Sequence, residues 1–330
     1  MARVFRDEDA DLSYLDNRTI AILGYGNQGR SQALNLRDSG ATVIVGSRED
    51  SSAERGRADG FEVVGAVEAV ERAQILFLLL PDEVQPEAYT RIESHLNPGD
   101  VLVFAHGYNI FHGFITPHEG LDVLLLAPRM IGHGVRTTYL EGQGFPSLIA
   151  VDQDASGEAL QRVLALAKGI GSTRMGAILS SFEEETVVDL FAEHLAPLYA
   201  FRRYITALAA AGYDPWVAML EFYASGESVE TGKAYVEKGL WGQITSHSRT
   251  SQYGQEVTGR LTLQQERAEM ERLDRMIEYI RSGHFGREWT LEQQAGEPTL
   301  HAIRRRNLEH PLQREERTLY ELLGRTGTNG

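Results

Sequence analysis

Six short apolar runs, separated by helix-like segments, dominate the first half of the sequence. They are TIAILG 19–24, TVIVG 42–46, ILFLLLP 75–81, VLVFAHG 101–107, DVLLLAP 122–128 and SLIAV 147–151. Each run is apolar on both faces, which is typical of a strand buried in a parallel sheet whose crossovers are helices. The pattern therefore predicts a doubly wound α/β domain of the Rossmann-like type.

The second half of the chain reads differently. Beyond about residue 180 the strand-like runs stop, and segments such as 181–212 and 260–283 have the composition of helices. A chain of 330 residues is long enough to give each of two domains its own core. We predict an α/β domain over 1–182, followed by an all-α domain over 183–330.

The composition excludes several classes of protein. A net charge of −15 and a pI near 5.2 offer no basic surface for nucleic acid. The sequence has no run of 18 apolar residues, and its start, MARVFRDEDADLSYL, is too charged for a signal peptide. Without cysteine, a metal site must use oxygen or imidazole ligands. We expect a cytoplasmic protein that binds neither nucleic acid nor membrane.

A glycine-rich loop, GYGNQG 24–29, follows the first apolar run and opens a helix-like segment. At this spacing Gly24 permits a tight turn, Gly26 lets the backbone approach a pyrophosphate, and Gly29 lets the helix pack close to the strand. The amides at the helix start face the anion. The loop therefore predicts a dinucleotide site, and the alternative is a simple packing turn.

The end of the second run, VIVGSREDSSAERG, bears on which dinucleotide binds. Arg48 with Ser51 and Ser52 would hold the 2′-phosphate of NADPH. Glu49 and Asp50, about 20 residues beyond the glycine loop, would instead suit the ribose hydroxyls of NADH. We expect NADPH, with NADH possible; the alternative for this segment is a solvated charged turn.

Carboxylates in the second half have the spacing of a metal site. Glu185, Asp189 and Glu193 fall at i, i+4 and i+8, on one helix face. Since like charges repel there, a hard cation such as Mg²⁺ would relieve the cost, and the alternative is a solvated acidic face. Farther along, Glu221 has its next carboxylate at Glu227, on the wrong helix face unless a bulge intervenes.

The chain resembles the ketol-acid reductoisomerases, the acetohydroxyacid isomeroreductases of branched-chain amino-acid synthesis, in their short form. The resemblance extends over nearly all 330 residues. It rests on GYGNQG with ALNLRDSG, LLPDEVQ 79–85, VFAHGYNI 103–110, GHGVR 132–136, LIAVDQDASGEAL 148–160, AKGIGSTR 167–174, FEEET 182–186 with DLF 189–191, YGQEVTG 253–259 and EHP 309–311.

This resemblance implies a two-step reaction in one site. Two Mg²⁺ ions, acting as Lewis acids, drive an alkyl shift in a 2-hydroxy-2-alkyl-3-keto acid, and NADPH then reduces the product to a 2,3-dihydroxy acid. It also implies a homodimer or larger homo-oligomer, with helical domains at the interface. The partner subunit would supply the carboxylates of the second helix and a serine to each site.

The family's site residues carry over to matching positions of this chain. The resemblance implies catalytic roles for His106 and Arg129, and contact of Ser248 with the substrate carboxylate. The implied metal ligands are Asp189, Glu193, Glu221 and, if a bulge is present, Glu227. The implied cofactor-binding residues are Gly24, Tyr25, Gly26, Asn27, Gln28, Gly29, Arg48, Ser51, Ser52, Asp82, Glu83, Val84, Gln85 and Gly132.

Four departures from the family lie near the expected substrate site. Arg129 stands at the position of a lysine, keeping the charge but losing any role in proton transfer. Ser225 takes the place of the second glutamate of the second helix. Pro197 is expected inside a shortened helix, where it would break a hydrogen bond. His247 and Arg249 flank the serine of the substrate site.

These departures leave alternatives to an ordinary ketol-acid reductoisomerase. One is a divergent paralogue that reduces or isomerises a related keto acid. Another keeps the reduction but has lost the alkyl shift. A third is a catalytically silent NADPH-binding protein, against which the retention of His106, Asp189 and Glu193 argues.

Overall fold

The computed structural model describes residues 3–258, 260 and 262–325. The chain divides into two compact units, the first ending at Leu190 and the second starting at Phe191. The division falls inside one helix, Phe182–His194, rather than at the start of that helix, where the sequence had suggested it.

A nine-stranded sheet, counted over the described residues, forms the centre of the first unit. Its strands are β1 (Val4–Phe5), β2 (Thr19–Leu23), β3 (Thr42–Gly46), β4 (Glu62–Val64), β5 (Ile75–Leu78), β6 (Val101–Phe104), β7 (Asp122–Pro128), β8 (Ser147–Gln153) and β9 (Ala177–Leu179). The strand order is β1-β9-β8-β7-β6-β5-β2-β3-β4. All six apolar runs of the sequence are strands.

Strands β4-β3-β2-β5-β6-β7 are parallel and have the strand order of a dinucleotide-binding fold, with the switch point between β2 and β5. The predicted doubly wound fold is therefore confirmed. One run differs from expectation, because β8 is antiparallel to β7. Ser147, the first residue of β8, pairs with Pro128, the last residue of β7. The connection therefore starts and finishes at the same end of the strands, instead of running back along the sheet as a parallel crossover does.

Burial on both faces explains why the strands are uniformly apolar. Ile20 and Ile22 of β2 belong to one buried cluster, whereas Ala21 and Leu23 belong to a second. Successive residues of a strand point to opposite faces, so each strand must be apolar throughout to serve two cores. The first unit's helices are α1 (Asn27–Asp38), α2 (Ser51–Ala58), α3 (Ala66–Arg72), α4 (Gln85–Ile92), α5 (Tyr108–Phe111), α6 (Gly132–Leu140), α7 (Ala159–Ile170) and most of α8 (Phe182–His194).

The described part of the second unit is helical, as predicted. After α8 its helices are α9 (Leu198–Ala210), α10 (Pro215–Met219), α11 (Glu227–Gly242), α12 (Arg249–Thr258), α13 (Leu263–Arg281), α14 (His284–Gln294), α15 (Pro298–Leu308) and α16 (Pro311–Leu322). Proline opens α10, α15 and α16, where the missing amide costs no hydrogen bond. None of the described helices combines the length and apolar character needed to cross a bilayer.

Pro197 does not lie inside a helix, contrary to the sequence prediction. Helix α8 ends at His194, and Pro197 is the N-cap residue of α9. The segment expected to form one helix is therefore two helices. A break at this point avoids the lost hydrogen bond and the ring clash that an interior proline imposes.

The second unit has a small core and exposes several large apolar side chains. Its buried cluster consists of five residues, Ile205, Ala218, Met219, Ala224 and Leu319. Large apolar side chains remain in solvent on the same unit, and the most exposed include Val236 at 89%, Leu263 at 85% and Trp241 at 70%. Exposed apolar surface on this scale is typical of an interface with another chain.

Candidate active site

The glycine-rich loop has the conformation that its spacing predicts. Gly24 has φ 100°, and a Cβ there would lie 2.6 Å from the carbonyl oxygen of Leu79. A Cβ on Gly29 would lie 1.9 Å from the carbonyl oxygen of Gly24, so helix and strand pack as closely as backbones allow. A Cβ on Gly26, the N-cap residue of α1, would meet nothing within 4 Å. The open side of the loop therefore lies at the start of α1, where amides attract an anion.

The turn after β7 packs directly on this loop. The side chain of Gln28 donates a hydrogen bond from Nε2 to the carbonyl oxygen of Met130, at 2.9 Å. A Cβ on Gly132 would lie 2.0 Å from the carbonyl oxygen of Asn27. These contacts hold the end of β7, and Arg129 with it, beside the glycine loop.

Tyr25 contributes its backbone rather than its side chain to the loop surface. Its ring is 2% exposed, and its hydroxyl donates to Oδ2 of Asp59 at 2.8 Å. Asp59 also accepts a hydrogen bond from Nε of Arg30 at 2.6 Å. The tyrosine side chain thus anchors the loop to its own domain, and the cofactor contact implied for Tyr25 stays a prediction.

After β3, Glu49 and Asp50 bond to other parts of the protein, whereas Arg48 is exposed. Asp50 accepts hydrogen bonds from the amides of Ser52, at 2.8 Å, and Ala53, and so caps α2. Glu49 forms a two-bond ion pair with Arg57, at 2.5 and 2.9 Å. Both carboxylates are therefore engaged within the protein, whereas Arg48 is exposed.

The segment after β5 is clamped to the residues that follow β6. The amide of Asn109 donates to the carbonyl oxygen of Asp82 and to Oε1 of Gln85, both at 2.9 Å. Gln85 is buried and donates to the carbonyl oxygen of Leu80 at 2.8 Å, while Glu83 and Val84 are exposed. This clamp holds the backbone of Asp82 next to the residues that follow β6.

His106 lies between two carboxylates at the carboxyl edge of the sheet. Its Nδ1 is 2.6 Å from Oδ2 of Asp82, and its Nε2 is 3.8 Å from Oδ2 of Asp189. Burial lowers the pKa of His106, but the hydrogen bond to Asp82 and the charges of Asp82, Glu185 and Asp189 outweigh it and raise the pKa to about 9. The imidazole is therefore protonated at neutral pH, and its buried Nε2 has no hydrogen-bond partner among the residues that the structure describes.

Helix α8 brings two carboxylates to this histidine. Glu185 is fully buried and accepts a hydrogen bond from the amide of Gly107 at 2.7 Å. A Cβ on Gly107 would lie 2.5 Å from the carbonyl oxygen of Phe182, so glycine lets α8 approach this closely. Burial raises the pKa of Glu185 above its usual value, against the charges of His106 and Arg129. Ligand atoms of His106, Glu185 and Asp189 lie within 4.8 Å of one another.

Arg129, at the end of β7, contacts both carboxylates of α8. Its Nη1 is 3.2 Å from Oε1 of Glu185, and its Nη2 forms an ion pair with Asp189. Burial lowers the pKa of Arg129, but the bond to Asp189 and the charges of both carboxylates raise it above its usual value. The guanidinium is therefore a permanent cation at the centre of the cluster.

Comparison with known proteins identifies the family. Residues 14–176 match the model of the NADPH-binding domain of acetohydroxy acid isomeroreductase, and residues 182–324 match that of the C-terminal domain of ketol-acid reductoisomerase. The chain belongs to the ketol-acid reductoisomerase family. The resemblance inferred from the sequence motifs is thus confirmed.

Individual relatives agree over the full length of this family member. The ketol-acid reductoisomerase (NADP(+)) of Methanopyrus kandleri is 41% identical, over 98% of this chain and 99% of the relative. An NADH-preferring ketol-acid reductoisomerase from an uncultured archean has a solved structure that is 34% identical, with a TM-score of 0.89 over 99% of this chain and all of that chain. A semialdehyde dehydrogenase NAD-binding protein from Cupriavidus necator, 18% identical with a TM-score of 0.58 over 81% of this chain and 99% of its own, shares the fold alone.

The remaining metal ligands expected from the ketol-acid reductoisomerase family lie in the second unit. Glu193 follows Asp189 by one turn of α8 and is exposed. Glu221 lies in a π-helical turn, Leu220–Ala224, so the helix is irregular at the predicted place. Gly226, with φ 93°, then ends that helix, and Glu227 is the first residue of α11. The two glutamates are both exposed and belong to separate helical segments, rather than to one bulged helix.

Ser248 has the geometry of a helix cap. Its hydroxyl accepts a hydrogen bond from the amide of Ser251, at 3.2 Å, at the start of α12. The serine is exposed, so its hydroxyl remains accessible beside the capped helix. The substrate contact that the ketol-acid reductoisomerase resemblance implies for Ser248 stays a prediction.

Two residues around His106 have positions that the sequence alone did not single out. Asp82, implied by the resemblance to bind the cofactor, contacts His106 through its carboxylate. Glu185, expected with Asp189 and Glu193 on one acidic helix face suited to a cation, is fully buried. The spacing at i and i+4 predicts a shared face but not this burial.

Proposed function

We propose that this protein catalyses the ketol-acid reductoisomerase reaction. An alkyl group migrates in a 2-hydroxy-2-alkyl-3-keto acid of the 2-acetolactate type, and NADPH reduces the resulting keto acid to a 2,3-dihydroxy acid. The observation that carries the proposal is the cluster of His106, Glu185 and Asp189 beside the glycine loop. Both lie at the carboxyl ends of the parallel strands, where ligands bind in this fold.

NADPH is the cofactor that the nucleotide site favours. The relatives differ, since one is named for NADP(+) and another is NADH-preferring. In this chain Arg48 is exposed, while Glu49 and Asp50 are occupied by Arg57 and by the cap of α2. An exposed guanidinium next to engaged carboxylates suits a 2′-phosphate better than bare ribose hydroxyls.

The donor set of the cluster fits Mg²⁺. Carboxylate oxygens are the ligands that Mg²⁺ takes in proteins, and Glu185 and Asp189 offer them close together. Glu193, one turn beyond Asp189, would add a third carboxylate from the same helix. When bound, Mg²⁺ supplies Lewis-acid polarisation of the keto oxygen.

His106 is the proton donor in this proposal. Its contact with Asp82 fixes the ring and keeps a proton on Nδ1, which leaves the Nε2 proton directed into the cluster. Within the described part of the chain Nε2 has no hydrogen-bond acceptor, so a substrate oxygen can take that place. In the metal-free protein, a pKa of about 9 keeps this proton on the ring at neutral pH.

A homodimer completes the proposed site. Glu221, Glu227 and Ser248 are exposed on the second unit, and that unit leaves large apolar side chains such as Val236 and Trp241 in solvent. A second copy of the chain would cover this apolar surface. The same copy would bring its carboxylates and serine to the cluster of the first.

The test is oxidation of NADPH with Mg²⁺ on two substrates in parallel, 2-acetolactate and 3-hydroxy-3-methyl-2-oxobutanoate, which needs only reduction. Turnover of both is the expected result. Turnover of the second alone would identify a reductase that has lost the alkyl shift, a candidate favoured by the contacts of Arg129 and the separation of Glu221 from Glu227. Turnover of neither would refute the proposal.

A further inference from the structure

Arg129 contacts the same carboxylates that are proposed to hold the metal. Its two terminal nitrogens reach different partners, Nη1 to Glu185 and Nη2 to Asp189. The guanidinium is planar and presents its donors as a fork, so a single side chain can span two carboxylates. A divalent cation bound to these oxygens would meet the guanidinium in the same space.

Burial makes this contact costly to lose. The Glu185 side chain is 0% exposed, that of Asp189 is 21% exposed and that of Arg129 is 36% exposed. Besides Arg129, the carboxylate of Glu185 has one hydrogen-bond donor among residues 3–258, 260 and 262–325, the amide of Gly107. A buried carboxylate needs a nearby cation, and Arg129 provides one that cannot release its proton.

We propose that Arg129 is an internal counter-ion that a divalent metal must displace from Glu185 and Asp189. Metal binding is then an exchange of one cation for another, which lowers the affinity for Mg²⁺. The position of the Arg129 side chain reports whether metal is bound. This inference rests on the metal site of the proposed function and adds a competitor for that site.

The charge and the donor geometry of Arg129 decide how strongly it competes with a metal, and other side chains at this position would compete less. A neutral side chain would leave the carboxylates to the metal alone. A lysine would keep the charge, but its ammonium group is a strongly hydrated point charge that lacks the planar fork with which arginine pairs with carboxylates. The competition therefore predicts an order of Mg²⁺ affinity, with methionine above lysine and lysine above arginine at this position.

The experiment is calorimetric titration of MgCl₂ into the full-length protein without cofactor or substrate. Arg129→Met is expected to lower the Mg²⁺ Kd by about tenfold, within the usual range of coupling between two sites, and Arg129→Lys by less. Arg72→Met is the matched control, because Arg72 also bridges two carboxylates, Glu62 and Glu68, on the exposed surface of the same unit. The control should leave the Kd unchanged.

The outcomes separate this inference from the site on which it rests. Equal Kd values for wild type, Arg129→Met and Arg129→Lys would overturn the competition while leaving the metal site intact. Absence of Mg²⁺ binding in all variants would refute the metal site itself and the inference with it. Asp189→Asn added to Arg129→Met must abolish the tightened binding; if it does not, the metal binds elsewhere and the inference fails.

Discussion

Replacement of Asp82 by asparagine should lower the pKa of His106. The carboxylate lies 2.6 Å from Nδ1 and provides the largest of the contributions that raise the pKa of this histidine. A rise from the usual 6.5 to about 9 corresponds to about 3 kcal/mol in favour of the imidazolium. Without that carboxylate, only the charges of Glu185 and Asp189 oppose the lowering of the pKa by burial, so Asp82→Asn should bring the pKa of His106 well below 9.

The sign of the effect on stability follows from the same pKa. A group whose pKa is raised by folding contributes its full stabilisation below its unfolded pKa, near 6.5, and loses it as the pH rises through about 9. Asp82→Asn should therefore lower the free energy of unfolding by up to about 3 kcal/mol at pH 6 and by much less at pH 10.

The assay is urea unfolding of the metal-free protein at pH 6 and pH 10, with the proton signals of His106 followed by NMR over the same range. Glu83→Gln is the control, because Glu83 is the exposed neighbouring carboxylate in the same segment. A His106 pKa still near 9 in Asp82→Asn would refute the reasoning. Equal destabilisation of that variant at both pH values would refute it as well.

Three further predictions concern the cofactor and the assembly. Gly26→Ala should weaken NADPH binding at least tenfold in a fluorescence titration without changing the melting temperature, because a Cβ there meets no protein atom within 4 Å and faces the ligand space. Gly29→Ala should instead lower the melting temperature, since its Cβ would overlap the carbonyl of Gly24. Arg48→Ala should reduce kcat/KM for NADPH by tenfold or more and leave that for NADH nearly unchanged, and an equal loss for both would remove Arg48 from 2′-phosphate recognition. Asp189→Asn and Glu221→Gln should each be inactive alone, yet co-expression should restore turnover through dimers with one intact site; no recovery in a purified mixed dimer would contradict a site shared between subunits.

The sheet could be predicted because its burial is nearly uniform. Strands that serve two cores must be apolar throughout, and this left six recognisable runs in the sequence. The strands β1, β4 and β9 escaped because each has only two or three residues. The antiparallel direction of β8 was also not predicted, because an apolar run is compatible with either strand direction.

The glycines were predicted with their roles because their constraint is local. Gly24 and Gly29 are demanded by a turn and a close approach that involve neighbouring residues. Breaks in the helices were harder, although the signals were present. Pro197 and Gly226 lie at helix boundaries, where proline and left-handed glycine are expected, yet the resemblance to the family predicted a continuous helix in each segment.

The pairing of His106 with Asp82 depends on tertiary structure. The two residues are 24 positions apart and follow β6 and β5, which are neighbours in the sheet. Parallel neighbours place their carboxyl ends together, so proximity could have been inferred, but the hydrogen bond depends on the directions of the two side chains. The contacts of Arg129 with Glu185 and Asp189 depend on its side-chain direction, which the sequence does not encode locally.

The most direct test of the central claim is the identity of the product. The protein with Mg²⁺ and NADPH would be given 2-acetolactate carrying ¹³C in its migrating methyl group, and the product would be examined by NMR. The account predicts 2,3-dihydroxy-3-methylbutanoate in which the labelled methyl group is bonded to C3, and one NADPH oxidised for each molecule formed. NADPH oxidation that leaves the labelled methyl group bonded to C2, or no reaction at all, would contradict it.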